Sequence, residues 1–297
     1  MLKVTPIGAI DIGSNAIRLQ VTNVEEYVGE TVFKKVTWIR IPLRLGGDVF
    51  TSGVITEQRR AHLLEVMKGF RHIMNAYDVK LYRACATSAM REAVNGKEIV
   101  DFIYQQADIK IEIIGGQQEA DIIFASGLSQ VIQDNNTYLF VDVGGGSTEL
   151  TVFADGKRID SRSFPVGTVR MLSGSVGEEV WKDIKKWLKF QMLRYTPTTV
   201  VGSGGNISKV QKMLSKKEKE TMSYTEMKVL YDYIDSFTME ERVHKLRLNQ
   251  HRADVIIPAL KIFLTVMKCC KINQVVVPKM GMVEGITKLL WEGESEK

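Results

Sequence analysis

The sequence predicts an α/β protein made of two related lobes with a cleft between them. Three observations lead there. A strand, turn, strand pattern occurs twice, strands alternate with helical patterns elsewhere, and 297 residues, 44% hydrophobic and 25% charged, suffice for two domains.

In chain order, residues 4–24 read as the first hairpin, with apolar Ile7 to Ile12, then Gly13, Ser14 and Asn15, then Ile17, Leu19 and Val21 in alternation. Leu63, Leu64, Met67, Phe70, Ile73 and Met74 fall at helical spacing within 56–77, and 79–86 has the apolar run of a buried strand. A second helix is expected over 91–106, a strand over 109–114, and after Gly115-Gly116 a helix from about Gln117. Residues 138–143, Gly144-Gly145-Gly146-Ser147 and 148–153 then repeat the opening hairpin, with Asp142 in the place of Asp11. A helix over 177–195, a strand over 198–201, a Gly202-Ser203-Gly204-Gly205 turn opening another helix, a strand at 275–277 and a helix over 283–291 complete the reading.

Composition excludes several classes. No run approaches the about 18 apolar residues of a membrane span, and the N-terminus lacks a leader pattern, so a cytoplasmic protein without membrane association is expected. Cys85, Cys269 and Cys270 have neither disulfide nor metal spacing, and His62, His72, His244 and His251 form no ligand set, which argues against zinc. Forty basic against 35 acidic residues is a mild bias toward anions that does not identify one. Lys182, Lys185, Lys186 and Lys189 on a helix, and Lys212, Lys216, Lys217 and Lys219 in a loop, read first as solvated surface and second as guides for a polyanion. Trp181 and Trp187 read as core rather than as a stacking platform, and nucleic acid is disfavoured.

The duplicated turns carry the chemistry. Glycine after a strand lets phosphate oxygens approach backbone N–H groups, and a carboxylate beside the turn can hold Mg²⁺ or Mn²⁺. On this reading Gly13, Ser14, Asn15, Gly144, Gly145, Gly146, Ser147, Thr148 and Gly204 bind substrate phosphates. No Gly-x-x-x-x-Gly-Lys-Ser/Thr run is present, and neither hairpin has the Gly-x-Gly-x-x-Gly spacing of a dinucleotide site.

Asp11-Ile12-Gly13-Ser14-Asn15, Thr87-Ser88-Ala89-Met90-Arg91-Glu92-Ala93, Gly115-Gly116-Gln117-Gln118-Glu119-Ala120 and Asp142-Val143-Gly144-Gly145-Gly146-Ser147-Thr148-Glu149 resemble, in order and spacing, the exopolyphosphatase and guanosine pentaphosphate phosphohydrolase family. The 164–170 segment and the 202–205 turn extend the likeness over nearly the whole chain. The resemblance implies two actin-like (ribonuclease H-like) lobes of the actin, hexokinase and heat-shock ATPase superfamily. Their expected spans are residues 1–123 and 124–280, with 281–297 a helix returning to the first lobe. It implies Glu119 as the catalytic base, Arg91 as a phosphate contact, and Asp142 and Glu149 as metal ligands faced by Asp11. Arg18 is open between a structural and a phosphate role.

The expected activity is removal of the terminal phosphate of inorganic polyphosphate. The rivals are a guanosine pentaphosphate 5′-phosphohydrolase, a non-catalytic polyphosphate or alarmone (guanosine penta- or tetraphosphate) sensor, and a sugar kinase or actin-like nucleotide-binding protein. A homodimer is expected by analogy alone. The sequence departs from the family pattern at Gln118, commonly glutamate, and over 278–285, where an expected acid and arginine are absent.

Overall fold

The computed structural model describes residues 1–127, 136–218 and 220–295, so Lys219 lies outside the described residues. Two compact units emerge: Met1–Gly127 with Met280–Lys297, and Leu128–Lys279.

The first unit contains β1 (Lys3–Ile12), β2 (Ile17–Tyr27), β3 (Glu30–Ile41), α1 (Leu45–Ser52), α2 (Glu57–Ala76), β4 (Leu81–Ala86), α3 (Ser88–Glu92), α4 (Gly96–Ala107), β5 (Ile111–Ile113) and α5 (Gly116–Ala125). Its sheet runs β3-β2-β1-β4-β5, the first three strands antiparallel and β4 and β5 parallel to β1. The inner half of β1 is buried without a break from Ile7 to Ile12, as expected of a strand covered on both faces. Leu63, Val66, Met67, Phe70 and Met74 form the buried stripe of α2, whose Thr56 cap accepts from the Arg59 N–H.

The second unit contains β6 (Thr137–Val143), β7 (Thr148–Ala154), β8 (Lys157–Phe164), α6 (Thr168–Leu172), α7 (Glu178–Tyr195), β9 (Thr199–Ser203), α8 (Gly205–Met213), β10 (Met222–Ser223), α9 (Tyr224–Asp235), α10 (Met239–His244), α11 (Gln250–Ala253), α12 (Ile256–Cys270) and β11 (Gln274–Val276). Its sheet order is β10-β11-β9-β6-β7-β8. Apart from β10 this repeats the first sheet strand for strand, again with an antiparallel hairpin trio and two strands parallel to the first of them. The duplication seen in two short motifs therefore extends through both sheets. The final helix, α13 (Met282–Ser295), belongs to the first unit and packs on α5 and β1.

Three expected elements change. The helix expected over 91–106 is two helices, because Ala93 is extended and the Asn95 side chain turns to the Ile55 backbone, accepting at 3.0 Å and donating at 2.8 Å. The strand expected over 79–86 begins only at Leu81, after Asp78 takes a left-handed conformation at φ 54°. The strand expected over 198–201 continues through Gly202 and Ser203, which pair with Val141 and Asp142. Gly202 serves packing there, since a Cβ would meet Phe263, Val275 and Ile207 at 3.2–3.3 Å.

The lysines on α7 are exposed. Trp187 is buried edge-on against Phe164, at 6.0 Å between centroids, and donates to Asp160. Among the described residues no helix is long and apolar enough to cross a membrane.

Candidate active site

The expected residues fall into two groups, one in each unit, gathered around the turn of its central hairpin and the helices that follow. In the first unit, the Gly13–Asn15 turn is closed by the Gly13 N–H donating to the Ala16 carbonyl at 3.1 Å. Two neighbouring helices brace it. The N–H groups of Gly46 and Arg44 donate to the carbonyls of Ser14 and Asn15, and the Ser14 hydroxyl bonds the Ser88 hydroxyl at 2.8 Å and accepts from the Ala89 N–H. These bonds use the turn's carbonyls, while the N–H groups of Ser14 and Asn15 make no hydrogen bond among the described residues. Buried Asn15 Oδ1 has no partner there either.

Asp11, 3% exposed, lies opposite Arg18 in the hairpin register and forms an ion pair with it. Its β4 neighbour Cys85 has its thiol pushed up to about 12, chiefly by burial, and is therefore no nucleophile at neutral pH.

Glu119 occupies the first turn of α5 and is buried. Gln118, the departure from the family pattern, caps this helix: its side-chain oxygen accepts from the Gly115 N–H at 3.1 Å as half of a capping box. Glutamine does so without adding a second charge beside Glu119. Arg91 donates to the Ile114 carbonyl at 2.7 Å, which ties the end of α3 to the segment leading into α5.

In the second unit, Asp142 lies opposite Glu149, and carboxylate oxygens of the two approach within 4.8 Å. Glu149, for which the sequence leaves a surface position open, is 1% exposed and accepts from the hydroxyls of Ser147 at 2.7 Å and Ser163 at 2.8 Å. Two like charges at that separation repel by on the order of 3 kcal/mol even at an effective dielectric of about 20. The Ser147 and Ser163 hydroxyls offset part of it. A hard divalent cation suits this all-oxygen donor set, so Asp142 and Glu149 are the residues that would hold Mg²⁺ or Mn²⁺.

The Gly144–Ser147 turn is braced as the first one is. Its carbonyls accept from Thr168 (to Gly144, 3.0 Å), Val169 and Arg170 (to Gly145, 2.8 and 3.1 Å) and the Arg170 side chain (to Gly146, 2.7 Å). The N–H groups of Gly145 and Gly146 make no hydrogen bond among the described residues. Gly167 is indispensable to this brace, because a Cβ there would lie 2.5–2.6 Å from backbone atoms of Gly145 and Gly146. Thr148, expected as a substrate donor, instead gives its hydroxyl hydrogen to the Val166 carbonyl at 2.6 Å. Gly204, at φ 110°, begins α8 beside Asp142, 3.5 Å separating Asp142 Oδ1 from where a Cβ would be.

The sequence alone assigns no role to Gly167, Arg170 or Ser163. The one signal for Arg170 and Gly167 is their place in the 164–170 segment. Ser163 sits on β8, a strand that the sequence pattern does not mark.

Two α/β units of the same sheet topology, each ending its central hairpin in a braced glycine turn beside a buried acid, define a duplicated α/β protein. A model of the Ppx/GppA phosphatase family matches residues 24–290, and the chain belongs to that family. It is 28% identical over 273 residues to a bifunctional 3-dehydroquinate synthase/phosphatase of Fusobacterium nucleatum, covering 84% of this chain and 41% of that protein. The chain thus spans less than half the length of that relative. Exopolyphosphatase 1 of Mycobacterium tuberculosis is 20% identical over 310 residues, covering 98% of this chain and 89% of its own. The crystal structure of an exopolyphosphatase from Cytophaga hutchinsonii superposes with a TM-score of 0.84 at 24% identity, over 97% and 98% of the two chains.

Proposed function

We propose that the chain is an exopolyphosphatase that hydrolyses the terminal phosphate of inorganic polyphosphate. The observation that carries this reading is the Asp142 and Glu149 pair, buried and register-matched beside a turn in which the Gly145 and Gly146 N–H groups make no hydrogen bond among the described residues. The names of the Mycobacterium and Cytophaga relatives support the substrate.

In this mechanism the N–H groups of Gly145 and Gly146 bind phosphate oxygens of the polyphosphate, and those of Ser14 and Asn15 offer the first unit's own donors to such oxygens. Asp142 and Glu149 would hold a divalent cation, which when bound would supply neutralisation of the charge that builds on the phosphate oxygens. Glu119 orients a water in line with the terminal phosphorus and takes its proton. The new P–O bond forms as the bridging P–O bond breaks, giving orthophosphate and a chain one unit shorter. Arg91 tightens the segment leading to Glu119 and adds positive charge. A reducing, cytoplasmic setting suits the three free cysteines.

The test is phosphate release in Mg²⁺ from short and long polyphosphate and from guanosine pentaphosphate, for wild type and Glu119→Gln. Polyphosphate turnover that falls at least about 10²-fold in the variant supports both substrate and base. Preference for guanosine pentaphosphate would replace the substrate, and binding without release from any of the three would make the chain a sensor.

A further inference from the structure

One face of α7 carries a single sign of charge. Lys182, Lys185, Lys186 and Lys189 recur at i, i+3, i+4 and i+7, the spacing of one helix stripe, and all four are exposed, whereas Ile184 and Leu188 are buried on the opposite side. Lys182 pairs with Glu178 at 3.9 Å. The helix's other acids do not interleave with the stripe, since Glu179 stands in the first turn and Asp183 is taken by Arg162. Lys185, Lys186 and Lys189 form no ion pair among the described residues.

Like charges three or four residues apart destabilise a helix. Here the pairs are Lys182 with Lys185, Lys182 with Lys186, Lys185 with Lys189, and Lys186 with Lys189. At α2, α9 and the end of α10 the same spacing is used the other way: Lys68, Lys228 and Lys245 each meet an acid three or four residues away. Nor does the stripe stop at α7. On α12, which packs against it, exposed Cys269 is within electrostatic reach of both Lys185 and Lys268, so positive charge continues across the two helices.

The anchors beneath α7 fix its direction. Asp183 pairs with Arg162, and Trp187 and Gln191 both donate to Asp160, so the helix runs along β8 from Arg162 toward Asp160. Those two residues lie opposite Leu150 and Val152 of β7, the strand that leaves the Gly144–Ser147 turn at Thr148. The lysines therefore lead away from the turn's end of the sheet, Lys182 first, over about 10 Å of helix.

A stripe of this kind suits a linear, densely charged anion. We propose that the α7 lysines, extended by Lys268, are a docking site for the distal part of a long polyphosphate chain, separate from the turn that takes its terminal phosphates. The proposal rests on the polyphosphate reading above and deepens it, because it makes long chains better ligands than short ones. An anion lying along the stripe neutralises the repulsion that the free helix carries. Single-stranded nucleic acid fits less well, because its binding draws on aromatic rings for base stacking. Trp187 is buried, and Phe190, beside the stripe, has the Arg194 guanidinium over its ring at 4.7 Å.

The experiment compares wild type, the stripe variant Lys185→Gln/Lys186→Gln/Lys189→Gln, and a control of equal charge loss, Lys68→Gln/Lys228→Gln/Lys245→Gln. Binding of long-chain polyphosphate and of inorganic triphosphate is measured calorimetrically without metal at several salt concentrations, and KM and kcat for both are measured in Mg²⁺. The stripe variant is expected to bind long chains at least about tenfold more weakly, with a flatter salt dependence and a KM raised to match, while its triphosphate binding and its kcat stay within about twofold of wild type. The control is expected to stay within about threefold of wild type on both ligands.

Equal weakening by the control would make the effect one of net charge and overturn the proposal. So would wild type that binds long chains no more tightly than triphosphate, or a stripe variant that loses an oligothymidylate and keeps polyphosphate. Should the stripe variant fail to fold, Lys186→Glu decides: unchanged binding of long chains overturns the docking site. Long chains bound through the stripe and never cleaved would sink the exopolyphosphatase reading and leave the docking site standing. Long chains cleaved by the stripe variant at the wild-type KM would do the reverse.

Discussion

A methyl group at residue 204 would test how tightly the turn beside Asp142 is built. Gly204 has φ 110° and ψ 154°, a region nearly closed to other residues, and its Cβ would lie 3.0 Å from the Val143 carbonyl. Gly204→Ala is expected to cost about 1–3 kcal/mol in urea unfolding, and to lower phosphate release beyond what that loss explains, since the strained turn abuts Asp142. Unchanged stability and turnover would show that the turn is pliable. At this scale the sequence is most informative about residues that occur in pairs. Asp11 and Asp142 are legible because each ends a strand and is followed closely by glycine. Their partners are not: Arg18 and Glu149 meet these acids through the register across the hairpin, and Ser163 reaches Glu149 through the pairing of β7 with β8.

Elements are legible where one face is buried and one exposed, or where an apolar run is short and sharply bounded. The stripe on α2 and the run in β1 are of these kinds. α12 is hidden because ten of its residues, among them Ile256, Leu260, Phe263 and Met267, are buried around much of its circumference, which erases the helical period. β3 is hidden for the opposite reason: its first seven residues are all exposed, so no alternation marks it.

The cap of α9 gives a prediction at this scale. The Ser223 hydroxyl accepts from the Glu226 N–H at 3.2 Å, and the Glu226 carboxylate accepts from the Ser223 N–H at 2.7 Å. Ser223→Ala is expected to cost about 1 kcal/mol in chemical denaturation. The Lys216 ammonium first, then the Ser223 backbone and hydroxyl, hold the Glu226 carboxyl down to about 2 from its ordinary 4.5. A depressed carboxyl stabilises the fold above its unfolded value, and that contribution is lost as pH falls from about 4.5 through about 2. Glu226→Gln should therefore unfold with a shallower dependence on pH across that window. An identical acid transition in the variant would assign acid sensitivity to other carboxylates.

At the scale of the molecule, the first unit is assembled from two separated stretches of chain. α13 reaches it after the whole of the second unit, and Gly285 is the contact: a Cβ there would sit 1.8 Å from the Ile122 carbonyl in α5, the helix that carries Glu119. Gly285→Ala should push α13 off α5 at a cost of about 3 kcal/mol. Hydrogen exchange should show faster exchange in α5 and β1, with β6 and β9 unchanged. Equal acceleration in both units would mean that they unfold as one. In the sequence this glycine stands out only as part of a segment departing from the family pattern, because nothing local reveals that a helix far away in the chain will press against it.

That late-arriving helix has a meaning for synthesis on the ribosome. Every residue of the second unit leaves the exit tunnel before α13 does, so the Asp142–Glu149 hairpin can form while the unit bearing Glu119 still lacks its last support. Domains fold largely in the order they emerge, at about 5–20 residues per second. With the proposed roles of Asp142, Glu149 and Glu119, a nascent chain would acquire its cation-holding residues before the support of its base, and competence for hydrolysis would await residues made only after the second unit.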